Sequence, residues 1–177
     1  MATGTVNMTI PASHRIKGIE IGVWEGATSV KLMSRYPLLE LTGIDPFDGY
    51  QDWWGFIDAD SMHAREEIAR RVTEPFRDRF QLLTMRSDEA VSVLADGDFD
   101  FVYIDGDHSF QWALHDIMNY WAKVKPGGML CGHDRSLSSV WRAVIQFTTE
   151  NELPVYQTEE PQSDSWFIPK PYEEIKS

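Results

Sequence analysis

Ile16-Lys-Gly-Ile-Glu20-Ile-Gly22-Val-Trp-Glu-Gly26-Ala-Thr28 reads as a short apolar strand, a turn flanked by two glycines, and the first residues of a helix. Glycine permits positive φ in such a turn and lets a ligand approach the backbone closely. The spacing is not the GxGxxG that cradles a pyrophosphate. A carboxylate, Glu20, stands at the strand end instead, where it would repel phosphate and favour a ligand carrying positive charge. Taken alone, Gly22 and Gly26 also fit an ordinary tight turn.

Outward from this turn, apolar runs that end in glycine or an acidic residue alternate with stretches of helical spacing. That alternation is the pattern of a parallel sheet with crossover helices. The runs are 16–22, 39–45, 80–85, 99–105 and 129–134, predicting five parallel strands. Helices are predicted over 28–36, where Pro37 stops the first, over 61–74, and over 87–95 with Ser87 as its cap. Phe110, Ala113, Leu114, Ile117 and Trp121 form one apolar helix stripe before Pro126-Gly127-Gly128, and Val140, Val144 and Phe147 mark a last helix. Segments 153–157 and 165–168 read as two closing strands around a polar loop, 158–164. The predicted fold is α/β, a Rossmann-like doubly wound sheet, mainly parallel, with a closing antiparallel pair at the C-terminus of a single domain spanning 1–177. The stretch 46–60 is irregular and rich in aromatics.

The 177 residues suit one compact domain, and 42% apolar with 12% aromatic content is a folded-protein composition. A formal net charge of -12 argues against nucleic acid or an anionic membrane as partner, since phosphate contacts need clustered Lys and Arg. Arg65, Arg70 and Arg71 are interleaved with Glu66 and Glu67, as on a solvated helix face. The single cysteine, Cys131, excludes an internal disulfide and a cysteine zinc cage. The first residues lack a charged segment followed by an apolar run, so a cytoplasmic location is expected.

Four motifs in order make a resemblance specific: the turn above, Gly43-Ile44-Asp45, Asp100-Phe-Val-Tyr-Ile-Asp105-Gly-Asp107-His108-Ser109, and Lys125-Pro-Gly-Gly-Met-Leu-Cys-Gly-His133-Asp134. Across roughly 16–147 the chain resembles the class I S-adenosylmethionine-dependent methyltransferases, of the small bacterial group related to macrocin-type and catechol-type O-methyltransferases. The resemblance implies that S-adenosylmethionine binds with Glu20, Gly22 and Gly26 at its methionine end and Asp45 at ribose. Arg86 and Ser87 would border adenine, with Asp105 in the same cleft.

Asp105, Asp107 and His108 follow the fourth predicted strand and His133 and Asp134 the fifth, so both groups should meet at the carboxyl edge of the sheet. An acceptor hydroxyl becomes a good nucleophile once its proton is removed or a metal polarises it. His133 and His108 are the candidate bases; for each, the alternative is a loop histidine that only bonds a neighbouring carboxylate. Asp105 and Asp134 match positions that hold magnesium in metal-dependent relatives, making Mg2+ a candidate cofactor. The chain departs from those relatives in carrying Arg135 after Asp134, a cation that would oppose a bound metal. His14, His63 and His115 have no partner pattern. Tyr50, Trp53, Trp54 and Phe56 could cover a small-molecule acceptor as a lid or serve in packing. Only a short segment precedes the first strand, leaving either an open active site or one completed by a second copy in a homo-oligomer. Asp105-Gly-Asp107 also resembles the Asp-x-Asp of metal-dependent nucleotide-sugar glycosyltransferases, a reading that leaves Glu20 and Asp45 without a role. A non-methylating S-adenosylmethionine-binding protein is the third reading.

Overall fold

The computed structural model describes residues 15–52, 55–158 and 164–172. Trp53 and Trp54, His14, and residues 159–163 of the polar loop lie outside the described residues. β1 (Ile16–Ile21) buries Ile19 and Ile21 on one face and Ile16 on the other, the alternation of a strand covered on both sides. α1 (Ala27–Arg35) starts from Gly26 in the left-handed region and stops before Pro37, with the Tyr36 amide bonded to the Leu32 carbonyl. β2 (Leu39–Ile44) follows.

The stretch after β2 is not irregular throughout: β3 (Tyr50–Asp52) and β4 (Gly55–Ile57) form a small antiparallel hairpin. α2 (Ala59–Thr73) begins two residues earlier than its apolar pattern, because the Asp58 side chain accepts from the Ser61 amide at 2.8 Å and caps it. β5 (Phe80–Leu83) is followed by α3 (Ser87–Ala90), a single turn rather than the longer helix predicted. Arg86, not Ser87, takes the cap position, since the Ser87 hydroxyl is engaged elsewhere.

β6 (Phe99–Ile104), α4 (Phe110–Trp121), β7 (Val124–Gly132) and α5 (Ser138–Glu150) complete the alternation. β7 starts before the expected run. Val124 pairs with Phe99, and the register then shifts so that Met129 pairs with Phe101, which takes Pro126-Gly127-Gly128 into the strand as an irregularity. β8 (Tyr156–Gln157) and β9 (Trp166–Pro169) close the sheet.

The sheet order is β5-β2-β1-β6-β7-β9-β8. The first five strands are parallel; β9 runs antiparallel to β7 and to β8. This is a Rossmann-like doubly wound sheet with an antiparallel closing pair. α1 and α2 pack together, and α4 packs with α3 and α5. Ala90, Ala113, Ile117, Val144 and Phe147 build the core on the second face with Ile19 and Ile21. The chain leaves β1 outward through β2 and β5, then returns to lay β6 on its other side. The carboxyl ends of β1 and β6 therefore frame the topological switch point, where open α/β sheets bind ligands. Among the described residues, no helix is long and apolar enough to cross a membrane.

Candidate active site

A cavity of about 400 Å³ opens at that switch point, within the size range of roughly 300–1,000 Å³ usual for small-molecule sites. Its wall comes from the β1 turn (Gly22 to Glu25), the end of β2 (Asp45), the start of α3 (Arg86, Ser87), the end of β6 (Asp105 to His108) and α4 (Trp112, Asp116). Trp24, held at φ 52, joins the wall, and the Arg65 guanidinium lies 4.0 Å over its ring. Arg65 is therefore packed against the turn and is not simply a solvated surface charge.

Of the expected cofactor contacts, Gly22, Asp45, Ser87 and Asp105 line the cavity, whereas Glu20 and Gly26 do not. Strand alternation turns Glu20 to the α1 side, where Ser29 Oγ donates to Oε2 and the residue is 1% exposed. Gly26 meets Val72, Thr73 and Ala69 of α2 at 3.0–3.4 Å from where a Cβ would stand, so its left-handed turn serves the packing of α1 on α2. Asp45 is 6% exposed and holds the turn: Oδ2 accepts from the amides of Val23 (3.0 Å) and Trp24 (2.9 Å), and Oδ1 from Phe47 (2.9 Å).

The second constellation assembles beside the cavity. His108 Nε2 lies 2.9 Å from Asp134 Oδ2; His133 Nδ1 lies 3.3 Å from the same oxygen and 4.0 Å from Asp105 Oδ1. Asp105 and His108 are in the cavity wall, whereas His133 and Asp134 do not line it. Burial pushes the Asp105 carboxyl up to about 6, against the pull of His133 and with the repulsion of Asp134. Asp134 is held below the usual carboxylate range: burial raises it, but the His108 bond and the two histidine charges outweigh that. Asp134 has φ 55, an unusual backbone state for a non-glycine residue, of the kind that clusters at functional sites. One ligand atom each from Asp105, His108 and Asp134 lies within 4.8 Å of the others, a grouping that could hold a metal ion. Arg135 does not stand in its way unpaired. Its guanidinium is 3.7 Å from Asp164 and 6.0 Å from the Trp141 ring centre.

Residues 19–135, which contain all these groups, match a family described as a methyltransferase domain. The chain belongs to that family. An uncharacterized protein, R132, of Acanthamoeba polyphaga mimivirus is 28% identical over 123 residues, 66% of this chain and 50% of the viral protein. The chain thus spans about half the length of that curated relative. Among solved structures, an O-methyltransferase family protein from Burkholderia thailandensis has a TM-score of 0.65 at 13% identity, covering 92% of this chain and 53% of the other. An O-methyltransferase from Bacillus cereus in complex with SAH has a TM-score of 0.59 at 16% identity, covering 86% and 72%. At these identities the likeness is one of fold.

In this methyltransferase domain, two residues unforeseen from sequence complete the wall. Asp116 of α4 is 3% exposed and accepts from Ser87 Oγ at 2.6 Å. Trp112 carries the Arg86 guanidinium 4.5 Å over its ring. A signal for Asp116 existed: with Ala113, Ile117 and Tyr120 it falls at i, i+3, i+4 and i+7, an acid on the buried face of its helix. His115 has partners after all, with Asn119 Nδ2 at 3.0 Å and the Trp112 ring edge-on at 5.1 Å.

Glu20 carries a stability prediction. Burial pushes its carboxyl up to about 8, against the Ser29 bond and helped by the charges of Asp105 and Asp45. A folded-state value above the unfolded one means stability that is full below the ordinary carboxylate range and lost as pH rises toward 8. Asp105 and Asp116, raised to about 6, act in the same sense but mostly at lower pH. Between pH 6.5 and 8, urea unfolding should therefore show the wild type losing about 2 kcal/mol relative to Glu20→Gln. Parallel stability curves for the two proteins would mean that Glu20 is already ionised in the fold.

Proposed function

We propose that the protein transfers the methyl group of S-adenosylmethionine to an oxygen of a small hydroxylated acceptor. The observation that carries this reading is the charge of the cavity wall: six carboxylates (Glu25, Asp45, Asp48, Asp105, Asp107, Asp116) against one guanidinium, Arg86. Such a wall attracts a ligand bearing a sulfonium and an ammonium and repels the diphosphate of a nucleotide sugar. The glycosyltransferase reading is disfavoured for the same reason. In this assignment the β1 turn faces the methionine end, Asp45 the ribose hydroxyls and Ser87 the adenine.

Transfer breaks the sulfur–methyl bond and forms an oxygen–methyl bond, and the acceptor proton must leave. His108, in the wall and paired with Asp134, is better placed to take it than His133, which stands outside the wall. The Asp134 carboxylate then stabilises the imidazolium. Asp105, His108 and Asp134 also fit a divalent cation, which when bound would polarise the acceptor hydroxyl. An imidazole among the donors suits a transition metal better than Mg2+.

The test is transfer of isotopic methyl from S-adenosylmethionine to a panel of phenols, catechols and sugar hydroxyls, with divalent cations and with chelator. Label should move to at least one acceptor. S-adenosylhomocysteine binding without transfer to any acceptor would contradict the reaction and favour a non-methylating binding protein.

A further inference from the structure

The turn that carries His133 and Asp134 is anchored from outside the 19–135 family match, by Trp166 of β9 and by Asp164 just before that strand. The β7–β9 ladder ends where Gly132 pairs with Trp166, but the contacts continue past it. Trp166, 1% exposed, donates from Nε1 to the His133 carbonyl at 2.9 Å. The Asp164 carbonyl accepts from the Arg135 amide at 3.1 Å. Its carboxylate accepts from the Ser136 amide, at 2.9 Å on Oδ1 and 3.1 Å on Oδ2, and from Ser136 Oγ at 2.5 Å on Oδ2. The Arg135 guanidinium stands 3.7 Å from Oδ1. Asp134 lies between these anchors, at φ 55. A left-handed backbone costs a non-glycine residue about 1–2 kcal/mol and persists only where its surroundings over-determine it.

We propose that Asp164 is a positioning residue for the reaction: it holds Asp134 in the left-handed state that sets its carboxylate against His108. The proposal rests on the role given above to the His108–Asp134 pair. Backbone φ fixes the direction in which a side chain leaves the chain. A turn relaxed to negative φ would carry the Asp134 carboxylate off His108 Nε2, which it now meets at 2.9 Å, and out of the grouping with Asp105. Closing the sheet does not require Asp164, since the register from Met129–Pro169 to Gly132–Trp166 already does so. Its bonds go instead to the two residues that follow Asp134, and both carboxylate oxygens are engaged there. Asp164 does not line the cavity, so it acts on the reaction through the turn. Displacing a reacting group by about 1 Å can cost about a hundredfold in rate.

The experiment compares the full chain with Asp164→Ala and Asp164→Asn in methyl transfer to the acceptor that takes label, in S-adenosylhomocysteine calorimetry, and by crystallography. In Asp164→Ala kcat should fall about tenfold to a hundredfold, with cofactor affinity within about threefold of wild type. The crystal structure of that variant should show Asp134 parted from His108. Asp164→Asn should recover kcat to within about threefold, because its amide oxygen still accepts from the Ser136 amide and its NH2 can donate to Ser136 Oγ. Unchanged turnover or an intact Asp134–His108 pair in Asp164→Ala overturns the proposal. So does an equal loss in Asp164→Asn, which would make the charge and not the hydrogen bonds decisive, and so does a parallel loss of cofactor affinity, which would mark a general effect on the fold. If Asp164→Ala does not fold, Ser136→Ala replaces it: a lowered kcat at unchanged cofactor affinity supports the clamp, and full turnover overturns it. A wild type that methylates no acceptor would contradict the proposed reaction, and the crystal comparison alone then decides whether Asp164 holds the pair.

Discussion

Gly22→Ala is expected to lower stability by about 4 kcal/mol or more, enough to drop the melting temperature by about 10 °C. Gly22 has φ 86, and an added Cβ would stand 1.9 Å from the Asp105 carbonyl oxygen and 2.5 Å from its carbonyl carbon. Both obstacles are backbone, so no side-chain rotation relieves them. Relief requires parting β1 from β6 where the Asp105 amide bonds the Ile21 carbonyl at 2.8 Å, while the Gly22 amide is tied on the other side to the Ile44 carbonyl of β2 at 2.9 Å. The left-handed backbone adds about 1–2 kcal/mol on its own. Gly97→Ala isolates that second cost, since Gly97 has φ 62 and nothing within 4 Å of the added carbon. Thermal melts should separate the two variants by at least about 2 kcal/mol; equal losses would mean that the β1–β6 contact is not as tight as described.

The second large effect concerns turnover. Asp134→Asn preserves shape, and asparagine tolerates a positive φ, so the fold should survive. It removes the negative charge that faces both His108 and His133 and leaves a neutral, weaker ligand at one of the three positions of the cation grouping. Turnover should fall by about a hundredfold to ten-thousandfold, the range usual for losing general-base assistance. Affinity for S-adenosylhomocysteine should change by less than about threefold, because Asp134 is not in the cavity wall. His108→Gln should behave similarly in turnover. A parallel loss of cofactor affinity in Asp134→Asn would place the residue in the binding machinery instead.

Much of this was legible in the chain. The β1 turn, the Asp105–His108 and His133–Asp134 pairs and the strand alternation could be read because each is a local pattern: apolar runs bounded by glycine or acid, at the carboxyl ends of successive strands. The direction of single side chains was not. Glu20 stands at a strand end next to the turn, yet alternation points it at Ser29 and not at the cavity. Gly26 belongs to the same motif as Gly22 but answers to α2. The Ser87 hydroxyl could have capped its helix; tertiary contact with Asp116 claimed it instead. The β3–β4 hairpin and the early start of β7 at Val124 escaped because three-residue strands and a Pro-Gly-Gly irregularity have no periodic signal. The pairings of Asp134 with His108, 26 positions away, and of Arg135 with Asp164, 29 positions away, are contacts that only the folded chain brings about.

The most direct test is calorimetry with S-adenosylhomocysteine and, separately, a nucleoside-diphosphate sugar, each with and without a divalent cation. An anionic cavity at the switch point of a methyltransferase-domain fold predicts saturable binding of S-adenosylhomocysteine, at one site per chain and micromolar affinity or better, and no binding of the sugar nucleotide. Binding of the sugar nucleotide with none of S-adenosylhomocysteine would contradict the account.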